Sequence, residues 1–363
     1  MKRRMVAIGT GLAVLGGSAG YLLYSPSEPV PRNRRSLDMT QQEGNYFLDE
    51  SKYEEQMNTI VIPYLEQYKQ EGYFQVEDNV HLRYKMFLPQ NTKATIVISH
   101  GFTEFMEKYN EMIYYFLKEG YGVCILDHRG HGGSDREIDN LSKVYVEDMD
   151  IYVEDFHTFL EDVVIPANQG KKLYLYAHSM GGCVGALFLE EYPEYFEKAI
   201  LNAPMLGFKT EDYPQNVAKV TGNLMCLFGQ GDSYVFGHGD FSKEYAFEKS
   251  CMSSEARYSY FFNLRSKNEN YQNNGATFEW LKSAFDGTER VREKENMKRI
   301  SCPILIFQAE DDKYVTDYGE YYFVNHVKQA KLIYVPGAKH EIFNSENDIM
   351  IPYYNKVFRF YEK

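Results

Sequence analysis

Cysteine is scarce in this chain and badly spaced for cross-links. There are five in 363 residues, at 124, 183, 226, 251 and 302, and no CxxC or CxxH spacing occurs. An odd, scattered set argues against a disulfide framework and against a structural zinc site. Cys124 and Cys302 fall in apolar runs and read as small buried residues. Basic residues are in deficit: 39 Lys and Arg face 52 Asp and Glu, a net charge of −13. Such a surface repels a phosphate backbone, so nucleic-acid binding is not expected. Internal repeats are missing, and low complexity is confined to one linker, which excludes solenoids. Charged residues are 25% and hydrophobic residues 44%, which excludes a mainly disordered chain.

Aromatic residues are abundant instead: 32 Tyr and 24 Phe beside a single Trp. That loading suits a large core or an amphipathic binding surface.

One stretch is long and apolar. After Met1-Lys-Arg-Arg4, residues 5–24 carry no charge. As a helix they would span about 30 Å, the thickness of a bilayer core. A basic start before an apolar run is a signal peptide or an uncleaved anchor. Gly17-Ser-Ala19 could serve a peptidase, but Tyr21-Leu-Leu-Tyr24 extends the apolar run past it and favours the anchor. The expectation is a single-pass, membrane-associated protein, with secretion after cleavage as the alternative. Arg32, Arg34 and Arg35 on the far side leave the orientation open. Gly16 and Gly20 make a GxxxG in a generally Gly-rich stretch, which is no argument for a dimer face.

Prolines 26, 29 and 31 mark 25–50 as a linker. Residues 53–68 have helical spacing interrupted by Pro63. From residue 80 short apolar runs alternate with helical patterns. The expected strands are 81–88, 95–99, 122–127, 173–177, 199–202, 304–308 and 332–335. The expected helices between them include 109–119, 147–164, 180–191 and 318–326. This alternation implies an α/β fold with a mainly parallel sheet flanked by helices. It stops between about 205 and 300, where Tyr, Phe, Asn and Gly dominate. That stretch is too long for a connection and reads as an inserted, mostly helical cap. The expected organisation is 1–24 anchor or signal, 25–50 linker, 51–204 core, 205–300 cap and 301–363 core.

Leu173-Tyr-Leu-Tyr-Ala177 runs into His178-Ser-Met-Gly-Gly182 and then a helical pattern. A strand, a sharp turn with serine at its apex and a helix make a nucleophile elbow, whose small neighbours let strand and helix approach. The first glycine of the usual G-x-S-x-G is Ala177 here. Serine needs a base to take its proton and an acid to orient that base. His340 follows the last expected strand and is the base candidate. Glu310, Asp311 and Asp312 follow the strand before it, and the residues alone do not choose among them. Oxyanion donors are expected from the amide of Met180 and, in the loop after Ser99, from Phe102. His128 and His131 beside Asp127 lie in a loop with three glycines and lack a zinc ligand pattern, so no metal is expected. His178 should point away from Ser179 and act structurally.

Ser99-His-Gly-Phe-Thr-Glu104, Asp127-His-Arg-Gly-His-Gly-Gly-Ser134, Ala177-His-Ser-Met-Gly-Gly182 and Pro336-Gly-Ala-Lys-His340 together resemble the α/β-hydrolase superfamily. They are most like its monoacylglycerol lipase and lysophospholipase branch, often labelled serine aminopeptidase-like. The resemblance covers roughly 75–360. The cap stretches Ser253-Ser-Glu-Ala-Arg-Tyr258 and Gly275-Ala-Thr-Phe-Glu-Trp-Leu281 are similar to the same subgroup, as is Ala177 in place of glycine. The resemblance implies a triad of Ser179, Asp312 and His340, with Asp311 in reserve. It places the acid four residues after Gln308, although Ala309 stands where the family has glycine. It also implies a cofactor-free hydrolase of single-chain lipid esters, either lysophospholipid or monoacylglycerol. A carboxylesterase, thioesterase or aminopeptidase on the same triad is the alternative, and a non-enzymatic binding protein the more distant one. Tyr258, Tyr260, Phe261, Phe262, Phe278, Trp280 and Phe285 are either the cap's own core or the wall of an acyl pocket.

Overall fold

The structure is a computed structural model that describes residues 27–41, 44, 46–210 and 213–363. The expected anchor at 1–24 lies outside the described residues. Among the described residues no helix is long and apolar enough to cross a membrane.

The strands are β1 (Arg35–Ser36), β2 (Lys69–Glu77), β3 (Val80–Phe87), β4 (Thr95–Ser99), β5 (Gly122–Leu126), β6 (Lys143–Val144), β7 (Leu173–His178), β8 (Lys198–Asn202), β9 (Gly275–Ala276), β10 (Ile304–Asp311) and β11 (Ala330–Lys339). Nine of them form one sheet in the order β2-β3-β5-β4-β7-β8-β10-β11-β1. All neighbours are parallel except those of β3, which runs against both β2 and β5. Strands β4, β5 and β7 are buried at every residue, as parallel strands covered on both faces must be. Their side chains alternate between two cores. Val97, Cys124 and Leu175 face one, while Ile96, Ile98, Val123, Ile125, Tyr174 and Tyr176 face the other.

The longer helices are α1 (Asn110–Lys118), α2 (Met149–Phe159), α3 (Met180–Glu191), α4 (Gln215–Leu227), α5 (Glu255–Lys267), α6 (Phe278–Arg290), α7 (Asp317–His326) and α8 (Asn347–Glu362). Helices α1 and α8 cover one face of the sheet, and α2, α3 and α6 the other. This is the mainly parallel α/β architecture that the strand–helix alternation implies, and it is the α/β-hydrolase fold that the motif resemblance implies.

Three local results differ from the sequence reading. The helical spacing at 53–68 survives Pro63 as a helix from Tyr53 to Glu66, because the turn Met57–Val61 widens to π geometry just ahead of the proline. A wide turn relieves the clash between the proline ring and the preceding carbonyls. The same device precedes Pro166, at Leu160–Val164. Strand β2 was not expected. It is a mostly exposed edge strand with Phe74 its one buried side chain, so it lacks an apolar pattern. Part of the stretch read as a linker is built into the fold: β1 pairs with the edge of β11, and Leu37 and Leu48 are buried.

The region 205–300 is largely helical. It holds α4, α5 and α6, and it is tied back by the pairing of β6 with β9. Helix α6 packs against α2 and α3 as well as α4. A buried ion pair fixes α5 to α1: Arg257 donates from Nε and Nη2 to the two oxygens of Glu111, at 2.9 and 2.8 Å. Arg257 belongs to the Ser253–Tyr258 stretch singled out in the sequence.

Candidate active site

Residues Ser179, Asp312 and His340 lie past the C-terminal ends of β7, β10 and β11, where open parallel sheets place their sites. Ser179 joins β7 to α3 with φ 53° and ψ −117°. A side chain in that region costs about 1–3 kcal/mol, and the surroundings must enforce it. They do so through close approach. A Cβ on Gly181 would stand 2.3 Å from the Ser99 carbonyl oxygen, and one on Gly182 would stand 2.6 Å from Pro204 Cβ. The departure at Ala177 is absorbed one helical turn on: its methyl faces Gly185, where a Cβ would approach to 3.0 Å.

The Ser179 hydroxyl lies 2.8 Å from His340 Nε2. His340 Nδ1 lies 2.6 Å from Asp312 Oδ2. The other Asp312 oxygen accepts the amides of Tyr314 and Val315, at 2.8 and 3.0 Å. Burial alone would raise the Asp312 pKa. The charge and hydrogen bond of His340 and the two amides outweigh it and hold the carboxyl below its ordinary value. Asp311 is exposed and stands opposite Lys339 in the β10–β11 register.

Of the two expected oxyanion donors, Met180 follows Ser179 in sequence and Phe102 lines the same cavity as Ser179. Met180 opens α3, where the first amides have no intrahelical acceptor. In the loop after β4 the Gly101 amide is already bound to Glu104 Oε2 at 2.6 Å, and Phe102, the expected donor, is the next residue. Thr103 follows at φ 59°, a second strained residue at the site. The Phe102 ring packs on Trp280, 4.3 Å between centroids.

Several supporting residues were not singled out in the sequence. Glu104 is buried; it accepts Tyr109 Oη at 2.5 Å and pairs with Lys108 at 2.8 Å. Burial pushes its carboxyl up, but Lys108 and His178 outweigh that and hold it well below the usual range. Lys108 also pairs with Glu341, the neighbour of His340, at 2.5 Å. An acidic residue in a turn gives no sign of burial, so only the helical i, i+4 spacing of Glu104 and Lys108 hinted at this pair.

His100 Nε2 accepts the His128 amide at 2.9 Å, so its Nδ1–H donates to the Gly101 carbonyl at 2.8 Å. Burial takes its pKa down to about 4, which keeps it neutral. His128 Nε2 and Ser99 Oγ are 2.9 Å apart. These histidines thus brace the loop that carries Phe102. The Asp127 carboxylate accepts the amides of Met106 and Gly133. It fills the space a Cβ on Gly132 would need, which explains a glycine at φ +51°. His178 turns its Nδ1 to the Asn202 carbonyl, at 3.0 Å.

Ser179 and His340 open into a cavity of about 820 Å³ beneath the cap. The aromatic cluster of the insertion divides. Tyr258, Phe261, Phe262 and Trp280 line the cavity, whereas Phe278 and Phe285 are buried in the core and Tyr260 packs on Tyr53.

Comparison with known proteins agrees with this architecture. The model of the serine aminopeptidase S33 family (Hydrolase_4) matches residues 90–348. A Haemophilus influenzae protein named "Probable lysophospholipase L2" is 27% identical over 296 residues, covering 80% of this chain and 90% of that protein. The lysophospholipase L2 of Escherichia coli K12 is 28% identical over 292 residues, covering 78% and 84%. Among solved structures, a soluble variant of the Saccharomyces cerevisiae monoglyceride lipase, with a substrate analogue, shares the fold with a TM-score of 0.64 at 17% identity, covering 81% and 94%. With the family model spanning well over half of its length, this chain belongs to the serine aminopeptidase S33 family of α/β-hydrolases.

Proposed function

We propose that the protein is a serine hydrolase that cleaves the carboxylic ester of a single-chain lipid, a lysophospholipid or a monoacylglycerol. The observation that carries this reading is an aromatic-walled cavity of about 820 Å³ with a hydrogen-bonded Ser179–His340–Asp312 chain in its wall. A cavity of that size holds an acyl chain, and each methylene buried there contributes about 0.8 kcal/mol. The relatives named lysophospholipase point the same way.

In the proposed reaction Ser179 Oγ attacks the ester carbonyl while His340 Nε2 takes its proton. Asp312 holds the imidazole in the required tautomer and stabilises the imidazolium. The amides of Phe102 and Met180 hold the oxyanion; losing one such donor costs about 100- to 1000-fold in rate. The C–O bond breaks, His340 returns the proton to the leaving alcohol, and the acyl group remains on Ser179. Water, deprotonated by His340, then releases the fatty acid. The residues complete this cycle without a cofactor.

Access to substrate has its own feature. Tyr213, Val217, Val220, Leu224, Leu227 and Phe228 are exposed at helical spacing on and beside α4, and Phe236 is exposed nearby. Tyr213 and Phe236 also line the cavity. This apolar stripe, which Tyr213 joins to the cavity lining, is suited to meeting a lipid surface.

The test is fatty-acid release from lysophosphatidylcholine and monoacylglycerol by the full chain and by Ser179→Ala. Release that is lost in the variant supports the reading. Folded protein that releases neither acid, yet hydrolyses short esters, thioesters or aminoacyl amides, would replace it with one of those activities.

A further inference from the structure

Arg265 stands in the wall of the catalytic cavity, and the reaction as derived does not use it. It occupies the last turn of α5, with its guanidinium carbon 4.4 Å over the Phe241 ring and 5.7 Å over the Phe261 ring. Nε donates to the Tyr271 carbonyl at 3.0 Å, and Nη2 donates to the Asn273 carbonyl. These neutral acceptors fix the plane of a group that lines the cavity. Among the described residues, no carboxylate lies within ion-pairing distance of Arg265.

Lys108, also against the Phe261 ring, contrasts with Arg265. Lys108 has two carboxylates, Glu104 and Glu341. Glu341 meets other donors instead: Oε1 accepts from Lys108 and Cys251, and Oε2 from Asn344. Lys108 is thus neutralised twice, whereas Arg265 has no ion-pair partner among the described residues. Burial brings the Arg265 pKa down to about 10, so the group keeps its charge at neutral pH. A partly buried cation without an anion is costly unless a ligand supplies one. Lys209, Lys249 and Lys313 are exposed and line the same cavity, as do the exposed carboxylates of Asp240 and Glu244. This occurs in a chain of net charge −13, where an unpaired cation is least expected by composition.

We propose that Arg265 binds the phosphate of the substrate's head group, and that the enzyme is built for a lysophospholipid rather than a neutral monoacylglycerol. The proposal rests on the lipid-ester reading of the cavity and names the head group within it. A guanidinium presents paired N–H donors that match phosphate oxygens, and it does so best when its plane is held in advance. Arg265 is a specificity-determining residue in this account; bond breaking stays with Ser179 and His340.

The experiment compares Arg265→Gln and Arg265→Lys with wild type on a lysophospholipid and a monoacylglycerol of the same acyl chain. For Arg265→Gln the KM for the lysophospholipid should rise about tenfold to a hundredfold, as expected for loss of a charged hydrogen bond. Its kcat/KM for the monoacylglycerol should stay within about twofold, and Arg265→Lys should recover part of the lost affinity. A second measurement needs no variant: on wild type, dodecyl phosphate should compete at least about tenfold more tightly than monododecyl glyceryl ether, both below their micelle concentrations. Equal losses on both substrates would make Arg265 a structural residue and overturn the proposal. So would a wild type that hydrolyses only the neutral lipid, or that binds the two amphiphiles equally, although the lipid-ester reading would then stand. A wild type that hydrolyses neither lipid would overturn both.

Discussion

Replacing Asp312 with asparagine, and Asp311 with asparagine as its control, separates two adjacent carboxylates by function. Asp312 accepts three hydrogen bonds, from His340 Nδ1 and the amides of Tyr314 and Val315. An asparagine can keep the amide contacts, but its NH2 would face His340 Nδ1 and drive the imidazole to the other tautomer. Nε2 would then carry the proton and could no longer take one from Ser179. Loss of the tautomer in such a triad costs about 10⁴-fold in kcat, or about 5.4 kcal/mol at 1.36 kcal/mol per tenfold. Because the Asp312 pKa is lowered, the carboxylate is ionised at every pH where the enzyme would work, and the deficit should persist across the neutral range. The sign for stability follows: an acid with a depressed folded pKa stabilises above its unfolded pKa and loses that as pH falls through the folded one. Asp312→Asn should therefore melt lower than wild type near neutrality and converge with it in acid. Asp311 is exposed, and its variant should retain activity within about twofold. The assay is steady-state release of fatty acid, with thermal unfolding to confirm folding. An Asp312→Asn enzyme with more than about a tenth of wild-type kcat, or an Asp311→Asn enzyme equally impaired, would refute the reasoning.

Three other perturbations test other parts of the account. Arg257→Ala leaves Glu111 buried without its partner and should destabilise the protein by about 3–5 kcal/mol in urea titrations, whereas an effect near zero would show that the α5–α1 ion pair does not hold the cap. Glu190 is buried with one oxygen unpartnered, and burial raises its pKa to about 9, so its contribution to stability is full below about pH 4.5 and falls as pH rises toward about 9. Glu190→Gln should thus gain about 2–4 °C in Tm over wild type near pH 9 and little near pH 5; a gain independent of pH would contradict this. Leu227→Asp with Phe228→Asp on the exposed stripe should weaken sedimentation with lipid vesicles at least about tenfold while sparing hydrolysis of a water-soluble short ester, and equal losses in both assays would remove the stripe's role.

Much of the sheet was legible because its central strands are buried on both faces and read as continuous apolar runs. Thr95–Ser99 was placed to the residue. The elements that escaped notice are those whose side chains say little. Strand β2 offers one buried ring, and β1 is two residues held by backbone pairing. The proline at 63 is the converse case: a local rule favoured a break, and a widened turn overrode it. At the site, Ser179 and His340 could be read from motif order alone, but the choice of Asp312 over Asp311 needed family resemblance. Their side chains leave adjacent positions of one turn in different directions, and composition does not record direction. The buried Glu104–Lys108–Glu341 chain and the unpaired Arg265 escaped for the same reason: a charged residue carries no mark of whether it will be solvated.

The most direct test of the central claim is to mix the full chain with lysophospholipid, quench in acid within the first turnover, and locate the acyl group by mass spectrometry of the intact protein and its peptides. The account predicts a mass increase of one acyl group on the peptide containing Ser179, absent in Ser179→Ala and accumulating with a bound ester whose deacylation is slow. Fatty-acid release with no adduct under any quench time, or an adduct on another residue, would contradict it.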